Sequence, residues 1–460
     1  MHAMQRLMLF LALTGTAVAS AQSPVSSWIS SEDGTHLLAE QPALAWSEGP
    51  CEAEGQLFID PGQTAQSILG LGASLEHATC YNLSLLGDAD RDAVLRKLVH
   101  PADGIGMNLM RICIGTSDFV GEDWYSYCDT PDNAPDPELT HFSIEKDRAY
   151  VLPALRAALR INPDLKFIAA PWSPPAWMKT NGSMLAGKLK PEYYDAFARY
   201  LVKFIEAYAA EGIPIHSITP QNEPDFPNPK YPTCFYKPED EMIFIRDHLG
   251  PLMKAKGSTT EIWCLDHNWN LLDFPETIYG DPVAREYVSG TAFHLYEGQP
   301  EAQSQVHEAF PDKAVYFTEG STFWTRGAVQ IIEILQHWSR SYNAWVVMLD
   351  EDRKPNNGPH MASQTSVELK KDGTVAYNFD YYMYGHFTKF IARGAERLVS
   401  EPGDRRFNRI GFKNPDGSIV VVAANPMRTD RTFSVHLGDK HFRATIPGRS
   451  LVTFRWGMDS

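Results

Sequence analysis

Between Gly70 and Arg393, short apolar runs alternate with amphipathic helical stretches, and no other feature narrows the fold as much. The strand-like runs are Ser67 to Gly72, Met107 to Ile114, Leu165 to Ala170, His216 to Thr219, Glu261 to Leu265, Gly290 to Leu295, Ala314 to Phe317 and Ala344 to Leu349. They number about eight, as a closed (β/α)8 barrel requires. Between them, Tyr193, Phe197, Leu201, Phe204 and Tyr208 recur at helical spacing, and Gly212 sits where a C-cap belongs. Ala328, Ile331, Leu335 and Trp338 repeat that spacing later. A helix after each strand returns the chain to begin the next strand parallel to the last. Beyond about Glu396 the pattern changes to Ser418 to Ala424, Arg431 to Leu437 and Leu451 to Trp456, separated by turns such as Pro415-Asp416-Gly417 and Pro447-Gly448. Gln56 to Asp60, ahead of the barrel, is strand-like too. The expected fold is therefore α/β: a (β/α)8 TIM barrel over 67–393, with a small antiparallel β-sandwich domain built from both chain ends, 22–66 and 394–460.

Composition narrows the function. With 43% hydrophobic and 21% charged residues the chain is an ordinary globular one, and its net charge of −16 repels phosphate, so neither nucleic acid nor an anionic membrane surface is expected as a partner. Arg6, the apolar stretch from Leu7 to Val18 and the small-x-small triplet Ala19-Ser20-Ala21 predict a signal peptide over 1–21, a mature chain beginning at Gln22, and a secreted or periplasmic protein. No later run reaches the ~20 apolar residues of a membrane span, so stable membrane insertion is not expected. Cys51, Cys80, Cys113, Cys128, Cys234 and Cys264 have no zinc-ligand spacing, and an exported protein permits disulfides among them. Cys113 and Cys264 fall inside strand-like runs and are expected to be buried free thiols.

Two glutamates end strands. Ser217-Ile218-Thr219-Pro220-Gln221-Asn222-Glu223-Pro224 reads as a strand that stops in a polar corner, with Asn222 and Glu223 side by side. Ala314-Val315-Tyr316-Phe317-Thr318-Glu319-Gly320 is an apolar strand, then a carboxylate, then a glycine. A barrel places its chemistry at strand ends, and glycosidic-bond hydrolysis needs two carboxyl groups, one to protonate the leaving oxygen and one to act on the anomeric carbon. Asp118, past one strand, can grip sugar hydroxyls, and Trp172, in the proline-stiffened loop after another, can wall a cleft. His294 and Tyr296 alternate along a strand and share a face. Gly70-Leu71-Gly72 lacks the third glycine of a dinucleotide loop.

These residues together resemble glycoside hydrolase family 30, the family of the lysosomal glucosylceramidase, over nearly the whole mature length. The resemblance rests on Arg111 with Asp118-Phe119, Ser173 to Gly182, Asn222-Glu223-Pro224, His294-Leu295-Tyr296, Phe317-Thr318-Glu319-Gly320, and Tyr377 to Ile391 with Tyr384 to Phe390 inside it. It implies a retaining mechanism with Glu223 as general acid/base and Glu319 as nucleophile, needing no metal or cofactor. Asp118, Trp172, Asn222, His294, Tyr296 and Trp345 would bind the sugar, with Arg111 supporting the carboxylates alongside His294 and Tyr296. The expected partner is a carbohydrate or glycolipid, and the expected activity is that of an exported glucosylceramidase-like β-glycosidase. Other readings are an endo-β-1,6-glucanase, a β-xylosidase or β-fucosidase of the same family, and a non-catalytic carbohydrate-binding protein. Ser74-Leu75-Glu76-His77 departs from the glucosylceramidases, which usually carry a threonine–aspartate pair there, and so does Val346, where they usually carry asparagine.

Overall fold

The computed structural model describes residues 23–359 and 365–458, so the expected signal peptide lies outside the described residues. Eight parallel strands form the barrel: β1 (Gly70–Ala73), β2 (Leu109–Ile114), β3 (Lys166–Pro171), β4 (Ile215–Ile218), β5 (Glu261–Asn268), β6 (Val288–His294), β7 (Ala314–Glu319) and β8 (Ser341–Ala344). β2 to β7 pair in chain order, and β8 pairs with β1. Parallel bridges Ser74↔Arg111, Val315↔Ser339 and Gly320↔Ala344 close the remaining seams.

The strands sit where the hydropathy pattern places them, with one correction. The last barrel strand is Ser341–Ala344, ahead of the apolar run Ala344 to Leu349, and Met348–Asp350 pairs instead with Val367–Leu369 in a small separate sheet. Ser341, Tyr342 and Asn343 look unlike a core strand, yet polar atoms of theirs find partners inside: Ser341 Oγ donates to the Phe317 carbonyl (3.1 Å) and Asn343 Nδ2 to that of Leu109 (2.8 Å), leaving Asn343 Oδ1 without one. A paired polar atom loses little on burial, so hydropathy alone misplaces this strand.

The helix Tyr194–Ala210 shows why the outer layer forms. Its buried face carries Phe197, Leu201, Phe204 and Tyr208, and Gly212 follows it at φ 78°, as expected of a C-terminal stop. Each such apolar side chain contributes roughly 1.5–3 kcal/mol by leaving water.

Both chain ends build the sandwich. Val25–Ser31 lies between Ala39–Leu44 and Ser450–Trp456 in a seven-stranded sheet, and Gly55–Ile59 joins Arg431–Leu437 in a four-stranded one. Pairing within these sheets is antiparallel except for that last pair, which is parallel. Leu57, Val421, Phe433, Val435 and Phe454 fill the space between the sheets. All six cysteines are free, Cys113 and Cys264 among the five that are buried. No helix among the described residues is long and apolar enough to cross a membrane.

Candidate active site

The chemistry-bearing side chains converge at the strand ends. Glu319 closes β7 and His294 closes β6, Trp172 and Trp345 directly follow β3 and β8, and Glu223 lies just past β4. Glu319 accepts from Arg111 on Oε2 and from the Tyr296 hydroxyl on Oε1, the latter at 2.8 Å. Tyr296 is 43% exposed as a residue, but its hydroxyl end is buried against that carboxylate. Burial and the neighbouring Glu319 charge push its phenol pKa well up, which keeps it a donor.

Beneath the pair lies a carboxylate that the sequence reading missed. β5 bulges between Leu265 and His267, and Leu265 and Asp266 take φ values of 72° and 58°. Such left-handed backbone costs a side-chain-bearing residue about 1–3 kcal/mol, and a bulge redirects side chains beside active sites. Glu241 Oε1 accepts the Leu265 N–H at 2.9 Å and secures the bulge from behind. Asp266, thus displayed, accepts from Arg111 (2.8 Å), Thr219 (2.7 Å), Thr318 (2.6 Å) and His294 Nε2 (3.0 Å). Burial works to raise its pKa, but the Arg111 guanidinium and these donors hold it far below the carboxylate range. The missed signal was Asp266-His267-Asn268, a polar cluster ending an apolar run whose strand had been expected to stop at Leu265.

Asp266 and Arg111 distribute charge to both glutamates. Arg111 Nη2 also reaches Asn222 Oδ1 at 2.7 Å. His294 would be pushed towards neutrality by burial, but Glu319, Asp266 and Glu223 outweigh that and raise its pKa to about 9. Its Nδ1 lies 3.5 Å from Glu223 Oε1 and 3.9 Å from Glu319 Oε1, so one imidazolium nitrogen stands between the two carboxylates. Burial raises the Glu223 pKa, the His294 contact opposes that, and the Glu319 charge adds to the rise. Glu223 itself sits at φ 51°.

A cavity of about 270 Å3 opens above them, lined by Asp118, Trp172, Asn222, Glu223, Tyr296, Glu319 and Trp345 together with Phe226, Tyr231, His267, Asn268 and Glu297. This is just under the ~300–1,000 Å3 of ligand clefts, room for about one sugar ring. Trp172 and Trp345 stack with centroids 5.1 Å apart, and the Arg111 guanidinium lies 4.9 Å from the Trp172 ring. Burial and the two glutamates push the Asp118 pKa well up, and its backbone carbonyl is clasped by the N–H groups of Asn357 (2.9 Å) and Gly358 (3.3 Å). Of the nine residues expected at the site, seven line this cavity, while Arg111 and His294 support the carboxylates from beneath. Of the two roles expected of His294, its burial and its bond to Asp266 fit the support of the carboxylates. Glu223, His267 and His294 could offer ligand atoms to a metal ion within 4.8 Å of one another. His294 Nδ1 could join such a set only by giving up the proton that Glu319, Asp266 and Glu223 hold on the ring.

Two carboxylates, an aromatic platform and a sugar-sized cavity at a barrel mouth define a glycosidase. Residues 68–391 match the glycosyl hydrolase family 30 TIM-barrel domain and residues 394–454 the glycosyl hydrolase family 30 beta sandwich domain. The chain belongs to glycoside hydrolase family 30. It is 32% identical to an endo-1,6-beta-D-glucanase of Neurospora crassa over 91% of each chain. It is 29% identical to the lysosomal acid glucosylceramidase of Mus musculus over 87% of this chain and 83% of that one. The solved structure of an endo-beta1,6-glucanase superposes with a TM-score of 0.85 at 31% identity, covering 95% of this chain and 100% of its own.

Proposed function

We propose that this protein is a retaining endo-β-1,6-glucanase in which Glu223 is the general acid/base and Glu319 the nucleophile. The observation that carries the linkage is the breadth of the likeness: relatives named endo-1,6-beta-D-glucanase align over 91% or more of this chain, against 87% for the mouse glucosylceramidase. Exposed Phe226 and Tyr296 at the cavity rim suit a chain that continues past the cleaved sugar. Glu319, gripped through both oxygens, is oriented to attack the anomeric carbon. Glu223, with its raised pKa, retains a proton for the glycosidic oxygen. A retaining pair requires ~5–5.5 Å between carboxyl groups, and the shared contact with one His294 nitrogen keeps the two carboxyl groups neighbours.

The second reading, a glucosylceramidase, is supported by the 29% identity to the mouse enzyme over 87% of this chain. One experiment separates them: incubation with a β-1,6-glucan and with glucosylceramide, followed by product analysis. Mixed gluco-oligosaccharides from the polymer, with little turnover of the lipid, are expected. Efficient release of glucose from the lipid, with the polymer untouched, would overturn the linkage. We also propose export, supported by the pattern of Arg6, Leu7 to Val18 and Ala19-Ser20-Ala21. N-terminal sequencing should find the mature protein beginning at Gln22 outside the cytoplasm.

A further inference from the structure

Of the eleven tryptophans, Trp324 alone is exposed, at 43%. It opens the helix Trp324–Gln336, shortly after Glu319, with φ at 62° and its N–H donated to Asp380 Oδ1 at 2.7 Å. Phe379 stacks against the ring, with centroids 5.8 Å apart and planes inclined by 22°. The ring is therefore fixed and backed, yet presented to solvent. It borders a cavity of about 570 Å3 between barrel and sandwich, where Arg326 joins Glu32, Asp33 and Arg449. Arg326 also lines a neighbouring cavity of about 640 Å3. That second cavity is walled by Trp269 and Leu295, whose chain neighbours Asn268 and Tyr296 stand in the catalytic cleft. The three cavities thus draw part of their linings from the segments that end and follow β5, β6 and β7.

We propose that the Trp324 cavity is a second binding site for a β-glucan chain, holding polymer whose other segment occupies the catalytic cleft. This rests on the glucanase reading. A pyranose presents C–H groups on its faces and hydroxyls around its edge, which match an indole flanked by guanidinium and carboxylate groups. The mixed signs of Arg326 and Arg449 against Glu32 and Asp33 suit a neutral polyol rather than a phosphate. Left-handed backbone at a bulky residue is the kind of strain that accompanies ligand sites.

Trp324→Ala and Arg449→Ala test the proposal from the two domains. On a long β-1,6-glucan each should lower kcat/KM about tenfold through KM, the effect of one lost contact, while an aryl β-glucoside is turned over as by the wild type. Enzyme whose nucleophile is capped by a fluoro-sugar should still be retarded in a gel containing β-1,6-glucan, and the capped variants should not. Should Trp324→Ala disturb the Glu319 loop and slow both substrates, Arg449→Ala decides. Capped wild type that runs as in a blank gel, or Arg449→Ala that matches wild type on polymer, overturns the site. Trp324-dependent retardation by another β-glucan, with no cleavage of β-1,6-glucan, would keep the site and remove the linkage reading instead.

Discussion

The two sides of the catalytic cleft hold the same functional group in opposite ways. On one side, Glu319 ends a barrel strand and is gripped by Arg111 and Tyr296, one on each oxygen. On the other, Glu223 sits in a left-handed turn, meets His294 at 3.5 Å and has His267 at 4.0 Å. Burial lowers the His267 pKa to about 3, so that ring is neutral. A carboxylate fixed by two donors is suited to attack, whereas one enclosed beside a neutral ring with its pKa raised is suited to keep and pass a proton. On the proposed mechanism, environment divides the roles between two chemically identical side chains.

That division breaks most visibly at Glu319. Glu319→Gln should lower kcat by about 10⁴-fold or more on every substrate, because an amide cannot form the glycosyl-enzyme ester. A fluoro-sugar should label Glu319 and no other residue by peptide mass mapping, and a label elsewhere sinks the assignment. Glu223→Ala should cost about 10²–10⁴-fold on a glucan but far less in bond cleavage of an acidic phenyl glucoside, which needs no proton. Azide should restore its rate and appear as the β-glycosyl azide. Equal losses on both substrates without rescue would reverse or abolish the division. In the wild type, activity should decline as pH rises through the raised Glu223 pKa, because the acid form is the active one, and Glu223→Gln should remove that alkaline limb.

The difference between the sides also explains what the sequence could reveal. Glu223 and Glu319 were legible because each follows a strand-like run and is followed by a proline or glycine, and the sandwich because its turns are marked by Pro415-Asp416-Gly417 and Pro447-Gly448. Asp266 was not, because a bulge turns its side chain against the strand's period of two, and periodicity cannot anticipate an inserted residue. The strand Ser341–Ala344 was hidden for another reason: Ser341 Oγ and Asn343 Nδ2 find their partners only once the barrel closes. Contacts between residues far apart in the chain decided both. His267 went unread with Asp266, on the same bulged end of β5.

Asp266 tests whether the two sides are independent. It bonds to both Arg111 and His294, so Asp266→Asn should weaken both, lowering kcat/KM about 10–100-fold, the range expected for one broken buried charged hydrogen bond. The distinguishing measurement is the titration of His294 by NMR. Without the Asp266 charge its pKa should fall from about 9 towards the ordinary 6.5. If activity drops while His294 still titrates near 9, Asp266 acts by packing alone and the shared charge network is wrong.

The smallest catalytic effect belongs to Glu241, which touches neither side but fixes the bulge between them. Burial raises its pKa to about 8, so the folded state binds a proton that the unfolded chain releases near 4.5. The sign follows from linkage: this group leaves stability intact below about pH 4.5 and withdraws it progressively as pH rises through 8, by an amount on the order of a few kcal/mol. Glu76, buried and raised to about 7, adds a loss of the same sign. Glu241→Gln keeps a carbonyl oxygen for the Leu265 N–H but cannot ionise, so it should leave kcat within about twofold while raising the urea midpoint at pH 8 and not at pH 4. A residual slope from Glu76 should persist, and combining Glu76→Gln with Glu241→Gln should flatten it further. Wild-type and Glu241→Gln curves that run parallel across pH 4–9 would mean that Glu241 ionises without cost in the fold, and that burial is not what holds its proton. A large drop in kcat with unchanged stability would instead make the bulge sensitive to the acid's own proton, and Glu241 would join the catalytic network it now only supports.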